Sequence, residues 1–187
     1  MSEELKSLEA GEYTLVARPH KGAYRGALWH GGHIVQQAEG DSLQDVYRKL
    51  EALLYERQAA KAAARKGVGP TVEEAVKALN RVLAKASHGQ RSMLRAHLHA
   101  PEQRITATQL AEAAGYGSYS AANLQYGLLG AMLFAETPED LPRRSNGTPI
   151  MTCAIASGED QRDGGEEHWV WKMRPHIEQG LRQLGVS

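Results

Sequence analysis

The feature that most restricts the fold is a pair of closely spaced helix signals between Thr106 and Gly130. Thr106 precedes Gln109 by three residues, a capping-box spacing that starts a short helix, and Gly115 is suited to end it. A tight turn then leads into a longer helix that extends to about Phe134. This pattern predicts a helix-turn-helix unit, in which the first helix supports the second and leaves the start of the second exposed.

The chain around this unit, residues 71–187, predicts a winged-helix-like domain. Helices on one side and two strands on the other should flank the helix-turn-helix. The expected elements are a helix opened by the capping box of Thr71 and Glu74, a helix at Gly89–His99, paired strands at Pro149–Ala156 and Glu167–Met173, and a final helix at Pro175–Leu184. A hairpin that follows three helices is the element order of a winged helix.

Residues 1–66 predict a separate strand-helix module, joined to the second part by a Gly- and Pro-containing linker at 67–70. Its three expected strands are Tyr13–Ala17, Tyr24–Trp29 and His33–Gln37. The Gly31-Gly32 pair suits a hairpin turn, and Asp41 or Ser42 offers the N-cap of a helix that covers the sheet. The predicted fold class is therefore α+β, with a three-strand meander and helix before the winged-helix-like domain.

Composition excludes several classes of protein. Lys plus Arg equals Asp plus Glu at 22 each, so any basic surface must be local, and the 42% hydrophobic share predicts an ordinary folded chain. The single cysteine, Cys153, excludes an internal disulfide, and no long apolar run or leader is visible. We expect a cytoplasmic protein. No nucleotide-binding or nucleophile motif occurs, so we expect neither an enzyme nor a cofactor.

The second helix of the helix-turn-helix should have two unlike sides. Placed at 100° per residue, its expected core arc contains Ala121, Ala122, Leu124, Tyr126, Leu128, Leu129, Met132 and Leu133. The opposite arc contains Ser120, Asn123, Gly127 and Gly130, and its glycines indicate either close internal packing or a partner near the backbone. Asn123 is the best candidate for reading a base, because an amide pairs with adenine, whereas Gln125 belongs with the core.

Basic residues are concentrated just before this unit. The candidate phosphate contacts are Lys77, Arg81, Lys85, Arg91 and Arg95. The first three recur every fourth residue and share one helix face, which suits either a phosphate backbone or simple solvation.

The loop before the last predicted strand favours a partner other than DNA. Its acidic residues are Glu159, Asp160, Asp163, Glu166 and Glu167, and such a loop would be repelled by DNA. It suits a basic surface on a protein partner instead.

Two pairs of histidines and a pair of tryptophans are also candidates for a metal site or an interface. His30 and His33, and likewise His97 and His99, lack the ligand spacing of a metal site and are expected to be polar surface residues. Trp169 and Trp171 lie two apart on a predicted strand and so share one face. They are expected either in the core or, if exposed, as anchors of a protein interface.

The stretch from Arg91 to Gly130, together with WKMRP near the C-terminus, resembles a helical or winged-helix domain of uncharacterised bacterial proteins and of accessory regions in HNH-type restriction endonucleases. The similarity rests on the ITATQLA helix and the GY, AN, YG and LG pairs that follow it. The HNH motif itself is absent from the sequence. The resemblance implies DNA handling in a bacterial or phage defence setting, without nuclease chemistry.

Two functions follow as expectations. The leading one is a non-catalytic, helix-turn-helix protein that binds duplex DNA through Ser120, Asn123, Gly127 and the basic residues. The alternative is a phage-type inhibitor or regulator, of the anti-CRISPR or anti-restriction kind, that binds a protein complex through the acidic loop and a helical surface. A homodimer is compatible with both.

Overall fold

The computed structural model describes residues 6–159 and 169–186, without the side chains of Lys6 and Glu159. The chain divides into two compact units, residues 1–67 and 68–187. Both contain helices and strands, so the fold is α+β as predicted. In the part of the chain that is described, no helix is long and apolar enough to span a bilayer.

The first unit is a four-strand antiparallel sheet covered by one helix. The strands are β1 (Lys6–Ala10), β2 (Tyr13–His20), β3 (Ala23–His30) and β4 (His33–Gly40), in that spatial order, and the helix is α1 (Leu43–Ala64). The predicted meander is confirmed, with β1 as an additional edge strand. The expected end of the first strand at Ala17 is wrong, because β2 continues through Pro19 to His20 and the chain reverses only at Lys21-Gly22.

Alternation along the strands builds the core of this unit. Leu15 and Leu28 are paired across β2 and β3 and are fully buried beneath Val46 and Leu50 of α1. The Ser42 hydroxyl accepts from the Asp45 amide and caps α1, as predicted. One face of the sheet is therefore covered by a helix, while the other face has no helix on it within residues 6–67.

Within its described residues, the second unit contains five α-helices, a one-turn 3-10 segment at Pro101–Gln103, a second 3-10 helix and a three-strand sheet. Its elements are α2 (Val72–Lys85), α3 (His88–His99), β5 (Arg104–Thr106), α4 (Ala107–Ala114), α5 (Tyr119–Glu136), a 3-10 helix (Met151–Ala154), β6 (Ala156–Glu159), β7 (Val170–Met173) and α6 (Pro175–Gln183). The sheet order is β5-β7-β6, all antiparallel. The succession α3, β5, α4, α5, β6, β7 is that of a winged helix, in agreement with the predicted fold class.

Two local expectations in this unit are corrected. Pro149–Ala156 is not a strand: the 3-10 helix occupies half of it, and β6 begins only at Ala156. The short strand β5 was not expected, yet it pairs with β7 through Ile105 and Trp171. The core joins α2, α3, α4, α5 and α6 through side chains such as Leu79, Leu94, Leu110, Leu129 and Leu181.

Candidate functional site

The helix-turn-helix is fixed at each end by local hydrogen bonds. Thr106 and Gln109 form the predicted capping box at the start of α4, with the Gln109 amide 3.2 Å from the Thr106 hydroxyl. Gly115 ends α4 in the left-handed conformation at φ 70°, which glycine adopts without steric cost. The Ser118 hydroxyl then accepts from the Ala121 amide and starts α5. The first turns of α5 are thereby presented outwards, with Tyr119, Ser120 and Asn123 exposed.

A groove of about 600 Å³ opens beside this start of α5. Its lining includes Asn123 and Tyr119 of α5, the N-terminal end of α4, and two tryptophans of the strand side. The full lining is Thr106, Ala107, Thr108, Tyr119, Asn123, Arg144, Ile150, Thr152, Trp169 and Trp171. Three aromatic rings supply stacking surfaces. The Asn123 amide, the Arg144 guanidinium and the threonine hydroxyls supply hydrogen-bonding groups.

The two tryptophans form one wall of the groove. Their ring centroids are 5.9 Å apart in an edge-to-face arrangement, so they share a face as predicted. Trp169 is 53% exposed, whereas Trp171 is half-buried and packs against the core. The Trp169 indole lies directly over Gly158 of β6, where any β-carbon would overlap the ring. The glycine therefore lets the indole lie flat against the sheet at the edge of the groove.

Arg144 enters the groove from a tight loop between α5 and the 3-10 helix. The Arg144 amide donates to the Thr148 carbonyl at 2.8 Å, and the Gly147 amide donates back to Arg144 at 2.9 Å. An isolated antiparallel bridge joins Arg143 to Pro149. These bonds hold two exposed arginines at a fixed place beside α5. No pattern in the sequence predicts this arrangement, because the segment has only the composition of a polar connector.

The exposed side of α5 differs from the predicted one. Leu124 is 62% and Leu128 48% exposed, so their expected place in the core is wrong. Gly130 is instead buried, because the 3-10 helix lies against it, and Gly127 faces Thr152 of the same element. Close internal packing thus accounts for Gly130, whereas the contact at Gly127 is an ordinary one. Gln125 is a half-buried hydrogen bonder, as expected, and accepts from the Gln90 side chain at 3.3 Å.

The basic candidates lie apart from the groove. Lys77 is 2.7 Å from Glu73 on the same helix, and this carboxylate raises the pKa of the lysine while its own pKa is lowered. Arg81 pairs with the buried Glu136 at 2.9 Å. Arg91 and Arg95 line a different cavity, of about 490 Å³, beside α2 and Gly185. None of the five expected phosphate contacts, Lys77, Arg81, Lys85, Arg91 and Arg95, lines the groove that holds Asn123.

The acidic loop falls mainly outside the described residues. Asp160, Asp163, Glu166 and Glu167 lie in the segment 160–168, and of Glu159 only the backbone, paired with Val170, is described.

His97 connects the helices to the sheet beneath the tryptophans. Its Nε2 lies 3.0 Å from the carbonyls of both Gln103 and Trp171, and since carbonyls only accept, Nε2 carries the proton. Nδ1 then accepts from the Tyr126 hydroxyl at 2.6 Å. The expectation of a polar surface residue is wrong for His97, which is fully buried. Burial lowers its pKa to about 4, partly opposed by the two carbonyls, and raises the pKa of Tyr126.

Within residues 6–159 and 169–186, no three His, Cys, Asp or Glu side chains come together as a group that could hold a metal ion. Comparison of the sequence with protein-family models gives no match, and comparisons with curated proteins and with solved structures give no significant match.

Proposed function

We propose that the second unit is a non-catalytic DNA-binding domain that contacts duplex DNA through the first turns of α5 and the adjoining groove. The observation that carries the proposal is the exposure of Ser120 and Asn123 at the start of the second helix of a winged-helix arrangement. In such proteins this part of the helix meets base edges in the major groove. Asn123 suits an adenine, and Ser120 suits a base or a phosphate.

The phosphate contacts are reassigned from α2 and α3 to the loop after α5. Arg144 lines the groove together with Asn123, and Arg143 is exposed beside it. Neither α4 nor α5 contains a lysine or arginine, so the loop supplies the positive charge nearest to Asn123 along the groove. With two such contacts, the slope of log K against log salt should be about −2, compared with about −4 or −5 if all five earlier basic candidates made contact.

Replacing Arg144 by alanine should weaken binding to all duplex sequences and reduce the salt slope by about 1. Replacing Asn123 by alanine should cost about 1–3 kcal/mol on a selected target and much less on random DNA, because a base contact carries the sequence preference. Fluorescence anisotropy with labelled duplexes at several salt concentrations measures both effects.

The double variant Arg91→Ala, Arg95→Ala is the matched control, because it removes positive charge from the other cavity. It should bind duplex DNA as tightly as the unchanged protein. Absence of duplex binding at low salt, or a loss caused by the control and not by Arg144→Ala, would reject the proposal.

A second candidate is a protein-binding regulator, and the exposure of Leu124 and Leu128 favours it. These residues are one helical turn apart and together form an exposed apolar stripe on α5. An exposed helix stripe of this spacing suits insertion into a groove of a protein partner. The partner would be a complex of the defence type, with a basic surface to meet the acidic residues of the 159–167 segment.

The double variant Leu124→Ser, Leu128→Ser separates the two candidates. If the protein function holds, this variant should lose a partner recovered by affinity capture, while its affinity for duplex DNA stays unchanged. Tyr55→Ser on α1 removes a comparably exposed apolar residue and serves as the control. Retention of the captured partner by the leucine variant would remove α5 from the protein interface.

A further inference from the structure

The first unit has a sheet face that its helix does not cover. Thr14, Val16 and Arg18 alternate with the buried residues of β2, and Arg25, Ala27 and Trp29 do the same on β3. A trough of about 430 Å³ runs across this face. Its lining is Val16, Arg18, Arg25, Gly26, Ala27, Trp29, Ile34 and Gln37. The trough has an arginine end and an aromatic end, separated by the small side chain of Ala27.

The arginine end places two like charges opposite each other. Arg18 and Arg25 are direct cross-strand partners, an arrangement that destabilises a sheet when nothing lies between the charges. Arg25 is offset by Glu39, its neighbour on β4, at 2.8 Å. Among residues 6–159 and 169–186, Arg18 has no acidic partner. Arg18 is exposed on this open face, where an external anion can reach its guanidinium.

The aromatic end offers a surface for stacking. Trp29 is half-buried near the end of β3, an inner strand of the sheet, and is paired with Ile34 of β4, which is 45% exposed. Arg25, Ala27 and Trp29 follow one another on the same face, so Arg25 and Trp29 are about 13 Å apart along the strand. If a linear polymer stacks one planar group on Trp29, its neighbouring anionic groups can lie at the arginine end of the trough.

We propose that this open sheet face binds single-stranded nucleic acid, with a base on Trp29 and a phosphate at Arg18. The Arg18 guanidinium favours an anionic group beside it, and the Trp29 indole favours a ligand with accessible aromatic faces. Bases inside a duplex are already stacked on each other and cannot lie flat on Trp29, which is why the unpaired form is favoured. The site is in a different unit from α5 and does not depend on the proposed duplex binding.

The experiment uses the full chain and a fluorescently labelled 15-nucleotide oligothymidine. The unchanged protein should bind it, and tryptophan fluorescence should be quenched in the process. Arg18→Glu and Trp29→Leu should each weaken binding by about tenfold or more, within the range of a lost stacking or phosphate contact. Trp29→Phe should bind within about threefold of the unchanged protein, because phenylalanine also stacks, but should lose part of the quenching.

Arg48→Glu is the matched control, since it makes the same change of charge on α1, where Arg48 pairs with Asp45. It should leave oligothymidine binding unchanged. Circular dichroism checks folding, and Arg18→Gln replaces Arg18→Glu if the latter does not fold. Absence of oligothymidine binding, equal losses in Arg18→Glu and Arg48→Glu, or quenching by oligothymidine that is undiminished in Trp29→Leu would overturn the proposal. Arg144→Ala should weaken duplex binding alone, which keeps the tests of the two sites distinct.

Discussion

Replacing His97 by alanine is expected to destabilise the second unit by about 3–5 kcal/mol, a large part of the stability of an ordinary domain. The substitution opens a cavity in a fully buried position. It also leaves the Tyr126 hydroxyl and the carbonyls of Gln103 and Trp171 without their imidazole partner. Each unsatisfied buried polar group adds to the loss. Chemical denaturation followed by circular dichroism measures the change.

His99→Ala is the control, because His99 lies on the same helix but is exposed. Its effect should be within about 0.5 kcal/mol of zero. Equal stability of the His97 and His99 variants would show that the hydrogen bonds of His97 contribute nothing to the fold.

The same histidine makes stability depend on pH. Its pKa is about 4 in the folded protein against an ordinary value of 6.5, so between these pH values the unfolded chain binds a proton that the folded chain does not. The contribution of neutral His97 to the free energy of unfolding is fully present above about pH 6.5 and is lost as the pH falls towards 4. The difference corresponds to about 3 kcal/mol. Denaturation curves at pH 7 and pH 5 should show about 2 kcal/mol of this loss in the unchanged protein and in His99→Ala.

The elements that could be predicted from the sequence are those defined by neighbours in the chain. The capping boxes at Thr71 and Thr106, the left-handed Gly115 and the Gly31-Gly32 turn depend on contacts within a few residues, and all are found. Which side of α5 is buried depends instead on the elements that pack against the helix. Because the 3-10 helix covers Gly130, the buried side of α5 is rotated relative to the expected one, and Leu124 is left exposed.

Part of the candidate site could likewise be predicted from the sequence. Asn123 follows from its place in the second helix, and the shared face of Trp169 and Trp171 follows from strand alternation. Arg144 does not, because the loop that directs it towards the groove has no signature of its own. His97 was missed because its partner Trp171 is 74 residues away, and no local pattern indicates a hydrogen bond over that separation.

Two glycines of α5 should respond to the same substitution with opposite signs. A β-carbon on Gly130 would lie 2.6 Å from the carbonyl carbon of Met151, and the atoms in its way are backbone. Alanine gains about 1 kcal/mol in helix propensity, but moving the 3-10 helix should cost more, so Gly130→Ala should lose about 1–3 kcal/mol net. At Gly127 the nearest atom, the Thr152 hydroxyl oxygen, is 3.8 Å away, an ordinary contact. Gly127→Ala should therefore gain up to about 1 kcal/mol.

The effect of Gly130→Ala should extend to the groove. Ile150 and Thr152, which flank Met151, both line it, so a displaced 3-10 helix changes the wall opposite the tryptophans. We expect Gly130→Ala to weaken duplex binding along with stability, and Gly127→Ala to leave binding unchanged. Thermal unfolding and anisotropy on the same two variants test this. If Gly130→Ala were as stable as the unchanged protein, the 3-10 helix would not be packed on α5, and the groove would lack the wall that places Arg144 beside Asn123.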